Sequence, residues 1–158
     1  MQTVAVPMEA LAQMIALQLQ KGGRASLTVT GSSMLPMLSH CRDSVLLIPV
    51  PQRCKVGDII LYRRDNGKYI LHRIISTDAD GYICCGDNQA QRERVRHTQL
   101  LAVVDGFVRK NKQYTLDHPG YRLYTAVWVR LFFLRPGYIV LRRRLARLRK
   151  RIRTYRRK

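Results

Sequence analysis

No acidic residue follows Asp117 in this chain of 158 residues. Lys and Arg outnumber Asp and Glu 29 to 10, for a net charge of +19, and eleven of the cations fall within 141–158, leaving +8 for the first 140 residues. A globular body with a basic tail describes this better than a uniformly basic protein. Such a tail calls for an anionic partner, with an acidic membrane surface favoured and nucleic acid less so. Also missing is any run of roughly 18–20 apolar residues, which argues against a helix that crosses a bilayer. The longest apolar run near the C-terminal end, Leu123 to Leu134, is broken by Arg130 and suits lying on a membrane better than crossing one. Residues 1–20 lack a basic leading region and are interrupted by Glu9 and several glutamines, so no cleavable export signal is expected. The expected location is cytoplasmic or peripheral to a membrane.

Cysteine is scarce and wrongly spaced for metal. Cys41, Cys54, Cys84 and Cys85 form no CxxC pair and no Cys/His comb, so neither a metal nor another cofactor is expected. Cys84 and Cys85 are adjacent in a strand pattern, which sends their side chains to opposite faces. Free thiols in a reducing compartment are the simplest reading.

What is present is enough for one domain. The apolar share is 46%, and a chain of this length can bury roughly two-thirds of its unfolded surface. Three segments are expected: an N-terminal amphipathic helix over 1–25, a β body over 26–118, and basic amphipathic helices over 119–158. Pro7 to Gln20 reads as a helix stopped by Gly22-Gly23, with Met8, Leu11, Ile15 and Leu19 on one docking face. From Ser26 to about Thr115, six to eight short strands alternate with turn residues, and Asp65-Asn66-Gly67 marks the clearest hairpin. The pattern predicts a mainly β fold, a coiled antiparallel sheet or partly closed barrel. Beyond Asp117, helices over 121–134 and 138–155 are divided by Arg135-Pro136-Gly137. Leu141, Leu145, Leu148, Ile152 and Tyr155 lie along one face of the second.

The residues able to carry chemistry occur in the order Ser, His, Asp. In Gly31-Ser32-Ser33-Met34-Leu35-Pro36, glycine permits a tight backbone before Ser33 and Pro36 fixes the chain after it. A serine hydroxyl attacks well only when a base takes its proton, so Ser33 needs a partner within hydrogen-bond reach. His72 stands in Tyr69-Ile70-Leu71-His72-Arg73-Ile74-Ile75, where alternation places it with Ile70 and Ile74 on an apolar face. Such surroundings favour the neutral imidazole that a general base requires. Taken alone, a histidine there is more often structural. The upstream serine turn shifts the balance. Asp87 in Gly86-Asp87-Asn88 is a candidate for the acid that orients the imidazole, and Glu93 is another; both stay open. The backbone N–H of Ser33, together with Ser32, is the candidate oxyanion donor. Met34 and Pro36 are candidates for substrate contact. His40, His97 and His118 have no comparable setting.

These motifs resemble those of the S24/S26 serine peptidases, and among them the type I signal peptidases and their small stand-alone relatives. Gly31-Ser32-Ser33-Met34-Leu35-Pro36-Met37-Leu38 is similar to the family's nucleophile box. Val56-Gly57-Asp58-Ile59-Ile60 is similar to its Gly-Asp strand, Leu71-His72-Arg73-Ile74 to the box carrying the base, and Gly86-Asp87-Asn88 to the last box. Histidine rather than lysine at the base resembles the endoplasmic-reticulum and archaeal branch, in which the acid comes from the last box or from just beyond it. The resemblance implies a serine endopeptidase on a coiled β-sheet body, acting on a polypeptide through an acyl-enzyme after small residues. It differs from the family in having Gly31 where an oxyanion serine stands two residues before the nucleophile, and in its basic C-terminal helix. The alternative is a catalytically inert regulatory or nucleic-acid-binding module of the same fold, although the body shows no helix-turn-helix or aromatic stacking motif.

Overall fold

The β-branched and aliphatic runs fold as the eight strands of one antiparallel sheet. The structure is a computed structural model that describes residues 7–141 together with Arg144 and Leu145. After helix α1 (Met8–Gln20) come β1 (Ala25–Thr28), β2 (Ser44–Ile48), β3 (Ile59–Arg63), β4 (Tyr69–Thr77), β5 (Gly81–Cys85), β6 (Glu93–Arg96), β7 (Leu100–Arg109) and β8 (Lys112–Thr115). Helix α2 (Pro119–Arg130) and a 3-10 turn (Phe132–Leu134) follow, and residues 135–141 are helical. Among the described residues no helix is long and apolar enough to cross a membrane.

The spatial order is β1-β2-β7-β3-β4-β5-β6, with β8 also on β7, curled into a half-barrel. β7 is its spine. One edge of β7 pairs with β2; the other pairs with β3 through Leu100 to Val103 and with β8 through Gly106 to Arg109. Register shifts at Leu46/Leu47 and Leu61/Tyr62 interrupt the ladders on both sides of β7, and such irregularities increase local twist and help a sheet curl.

Curling gives the sheet two apolar faces. Ile15 and Leu19 of α1 pack with Leu47, Ile59, Leu61 and Phe107 on one, while Ile60, Tyr62, Ile74, Tyr82 and Val95 fill the other. β3 is therefore buried on both sides, which is why Ile59-Ile60-Leu61-Tyr62 reads as a continuous apolar run rather than an alternation. Each such aliphatic side chain contributes about 1.5–3 kcal/mol by leaving water.

Two points differ from the sequence pattern. β6 carries no alternation of its own, because Val95 is its one inward apolar residue and an edge strand needs no more. The C-terminal helices divide at residues 131–134 rather than at Arg135-Pro136-Gly137. Pro136 instead occupies the first turn of the next helix, where its missing N–H costs no helical bond. The expected stripe beyond Leu145, namely Leu148, Ile152 and Tyr155, lies outside the described residues, as do residues 1–6 of the N-terminal segment. α2 is not detached from the β body: Tyr121 is buried and packs tilted against Phe107, with ring centroids 5.5 Å apart.

Gly31 adopts φ +86 in open space, so its requirement for glycine comes from backbone conformation and not from crowding. Gly31→Ala should lower stability by about 1–2 kcal/mol, the usual cost of a left-handed L-residue, measured by urea unfolding.

Candidate catalytic site

The serine turn is held shut from both ends. Val29 N–H donates to the Asp43 carbonyl at 2.9 Å and Cys41 N–H to the Val29 carbonyl at 2.8 Å, closing the segment that contains residues 31–38. Inside it, Gly31 N–H donates to His40 Nδ1 at 2.9 Å, and the buried Asp43 carboxylate accepts from Ser39 N–H at 2.8 Å. Asn88 then clamps the turn from across the sheet. Its N–H donates to the Ser33 carbonyl at 2.7 Å, and its side-chain amide to the Ser32 carbonyl at 3.1 Å. In a trans peptide the N–H points opposite to the carbonyl, so these contacts turn the N–H groups of Ser33 and Met34 away from Asn88. Ser33 is half-buried and Ser32 exposed.

Beside Ser33 lies a cavity of about 330 Å³ with a largely aliphatic lining that includes Met8, Leu11, Val29, Met34 and Leu71. Met8 and Leu11 come from α1, so the stripe read as a docking face serves both the core and this cavity. Pro36 lines a different cavity of about 650 Å³, against Phe107, Tyr114 and Tyr121. The two candidates for substrate contact therefore face different spaces.

His72, on β4, is 2% exposed. Its Nδ1 lies 2.7 Å from Glu93 Oε1 and 3.2 Å from the Tyr62 hydroxyl. A carboxylate only accepts, so Nδ1 carries the hydrogen and Nε2 is left with its lone pair. Nε2 faces Gly86: a Cβ on that residue would lie 2.9 Å from Nε2 and 2.8 Å from the Ser33 carbonyl oxygen. Glycine is what lets the serine turn and the imidazole approach one another. No hydrogen bond joins Ser33 Oγ to Nε2; contacts of this kind commonly tighten only when substrate binds.

Electrostatics support the neutral base. Burial pushes the His72 imidazole below its ordinary value, an effect that Glu93 offsets only in part. Burial alone would raise the Glu93 carboxyl, yet hydrogen bonds from Arg64 and Tyr62 and the adjacent His72 together hold it below its usual range. Arg64 grips Glu93 with two bonds, at 2.7 and 2.9 Å. Burial, reinforced by the Glu93 carboxylate, keeps Tyr62 a phenol.

Asp87 has a different partner. It is fully buried and paired with the equally buried Arg73 at 2.8 and 2.9 Å, and it accepts from the Tyr124 hydroxyl at 3.1 Å. Arg73 also donates to the Gly57 carbonyl, the Tyr121 hydroxyl and Thr125 Oγ1, and approaches Met37 Sδ at 3.2 Å. Of the two acids left open by the sequence, Glu93 is the one placed against His72.

Compared with known families, curated proteins and solved structures, the chain has no match in any of the three.

The structure brings Ser33, His72, Glu93 and the Gly86-Asp87-Asn88 turn together. All four cysteines are free, with Cys41 exposed and the others buried, and burial pushes the Cys84 thiol up to about 12. Among the described residues no cluster of His, Cys, Asp and Glu is arranged to hold a metal. Reading the sequence missed Tyr62, Arg64, Arg73 and His40. Only Arg73 left a signal, since alternation on β4 sends it to the face opposite His72, where a charge needs a partner. Tyr62 reaches His72 from the neighbouring strand of the β3–β4 hairpin, His40 caps Gly31 within the serine turn, and Arg64 meets Glu93 from 29 residues away.

Removing one member of a buried ion pair strands the other, so Asp87→Ala should lose about 3–5 kcal/mol of stability, read as a fall in the denaturant midpoint. Gly86→Ala should instead push the imidazole and the serine turn apart; a crystal structure of that variant with the two groups unmoved would contradict this geometry.

Proposed function

We propose that this chain is a serine endopeptidase of the S24/S26 kind, resembling signal peptidase, with Ser33 as nucleophile, His72 as general base and Glu93 as the acid that orients it. The observation that carries the reading is His72 itself: Nδ1 committed to Glu93 at 2.7 Å and Nε2 turned toward the serine turn across Gly86. In the first half-reaction Ser33 Oγ attacks the peptide carbonyl carbon as Nε2 takes the hydroxyl proton. The carbonyl oxygen becomes an oxyanion, for which the Ser33 N–H and Ser32 are the candidate donors. Collapse breaks the C–N bond, and the imidazolium returns its proton to the leaving amine. Water then repeats the sequence on the acyl-enzyme, with His72 again accepting the proton.

Glu93 favours this cycle in two ways: it fixes the tautomer with Nε2 free, and it stabilises the imidazolium that forms. The aliphatic cavity beside Ser33 suits an apolar side chain of an extended peptide, in keeping with a preference for small apolar residues at the scissile bond. Nothing in the scheme calls for a cofactor.

Ser33→Ala should abolish hydrolysis and covalent labelling by an acylating inhibitor, observed as loss of the mass increment. His72→Ala should lower kcat by about a hundred- to ten-thousand-fold; cleavage that persists in both variants would leave an inert member of the fold. The acid limb of kcat/KM against pH should have its midpoint below the 6.5 of an ordinary histidine, because burial disfavours the imidazolium. Glu93→Gln should lower the rate and move that limb to still lower pH, because the carboxylate's attraction is what raises the His72 value. A limb that stays put in Glu93→Gln would remove Glu93 from this role.

A further inference from the structure

Most amphipathic helices in a small protein turn their apolar face inward. α2 has apolar or aromatic side chains on both faces. Tyr121, Tyr124 and Trp128 point toward the β body, where they meet Arg73 and Asp87, and Trp128 also carries the Arg135 guanidinium over its ring. On the other side Leu123 is 68% exposed and Val127 43%, one helical turn apart. The exposed series continues past the helix through Leu131, Phe133 and Leu134, with Phe133 at 71%. Arg122 and Arg130 flank it, both exposed, and no acid follows Asp117 in the sequence.

We propose that this face, from Leu123 to Leu134, docks on an anionic lipid bilayer. Charge complementarity selects the occupant. A nucleic acid would satisfy the cations but leave Leu123 and Phe133 in water. A second copy would cover the leucines but bring two acid-free basic segments together. An anionic bilayer takes both, the side chains entering the headgroup boundary and the arginines meeting lipid phosphates. The eleven cations of 141–158 add long-range attraction to the same surface.

Docking here has a consequence for the site. The inner side of the segment touches the glycine turn that separates Ser33 from His72: Trp128 Nε1 donates to the Asp87 carbonyl at 3.2 Å, and Arg135 donates to the Gly86 carbonyl at 3.3 Å. A bilayer on the outer side therefore lies one helix thickness from that turn, favouring polypeptides held at or emerging from a membrane. The surface stands independently of the hydrolytic reading, because it rests on exposure and charge alone.

The test uses the full chain in vesicle flotation at physiological salt, with phosphatidylcholine vesicles prepared with and without phosphatidylglycerol. Binding should require phosphatidylglycerol. Leu123→Ser combined with Phe133→Ser should weaken it at least about tenfold, with the circular dichroism spectrum and hydrolysis of a soluble peptide unchanged. In a Cys41→Ser background, which removes the exposed native thiol, Leu123→Cys carrying a polarity-sensitive dye should blue-shift on the anionic vesicles only. Absent vesicle binding overturns the proposal. So does full-strength binding by the double variant, which would assign the attraction to the tail alone. A dimer that the double variant dissociates, or RNA binding that it weakens, would assign the face to a second copy or to nucleic acid and overturn the proposal equally.

Discussion

The ion pair between Arg73 and Asp87 holds the rest of the site in place. Both side chains are removed from water, a state that is costly unless each hydrogen-bonding position finds a partner. The partners come from far apart: Asp87 from the turn after β5, the Gly57 carbonyl from the turn before β3, Met37 from the serine turn, and Tyr121 and Thr125 from α2. Burial by itself would lower the Arg73 value, but Asp87 carries it above the ordinary range, so the guanidinium stays charged and the demand for partners persists. Against an apolar replacement such a buried pair often adds little net stability. An arrangement missing one of these segments leaves a buried charge short of partners.

Beside that pair, two acids divide the work by environment. Asp87 is wholly enclosed and committed to Arg73, while Glu93, on the edge strand, keeps part of its surface in water and reaches His72 from the opposite face of β4. Successive residues His72 and Arg73 thus project into two different networks, one around Glu93 and one around Asp87. The pleat of a single strand separates them. Gly86 lies where the networks meet, its missing side chain admitting the serine turn while its carbonyl accepts from Arg135.

The C-terminal segment belongs to this architecture as well as to the surface. Arg135 is 2% exposed and stacks against Trp128 and Phe132, with its guanidinium 5.3 and 4.6 Å from their ring centroids. Burial lowers its value, although Asp87 nearby opposes the fall. Trp128 of α2 and Arg135 beyond it thus cover the Gly86-Asp87-Asn88 turn, while the outer face of α2 remains apolar toward solvent.

Local pattern alone determined the antiparallel β body, the N-terminal helix, the hairpin at Asp65-Asn66-Gly67 and the candidate roles of Ser33 and His72. Each of these depends on residues within a few positions of one another, where periodicity and turn chemistry act directly. Whether Asp87 or Glu93 would meet His72 could not be read that way, because both follow β4 at plausible distances and the choice depends on which face of the strand each one reaches. β6 escaped notice because one inward valine makes no pattern. Tyr62, Arg64 and His40 carry no local pattern, because 9 to 29 residues separate them from their partners and only the pairing of strands and turns brings them together. Tertiary packing decided those points: a buried charge or imidazole accepts only the partner that the curled sheet carries to within hydrogen-bond distance.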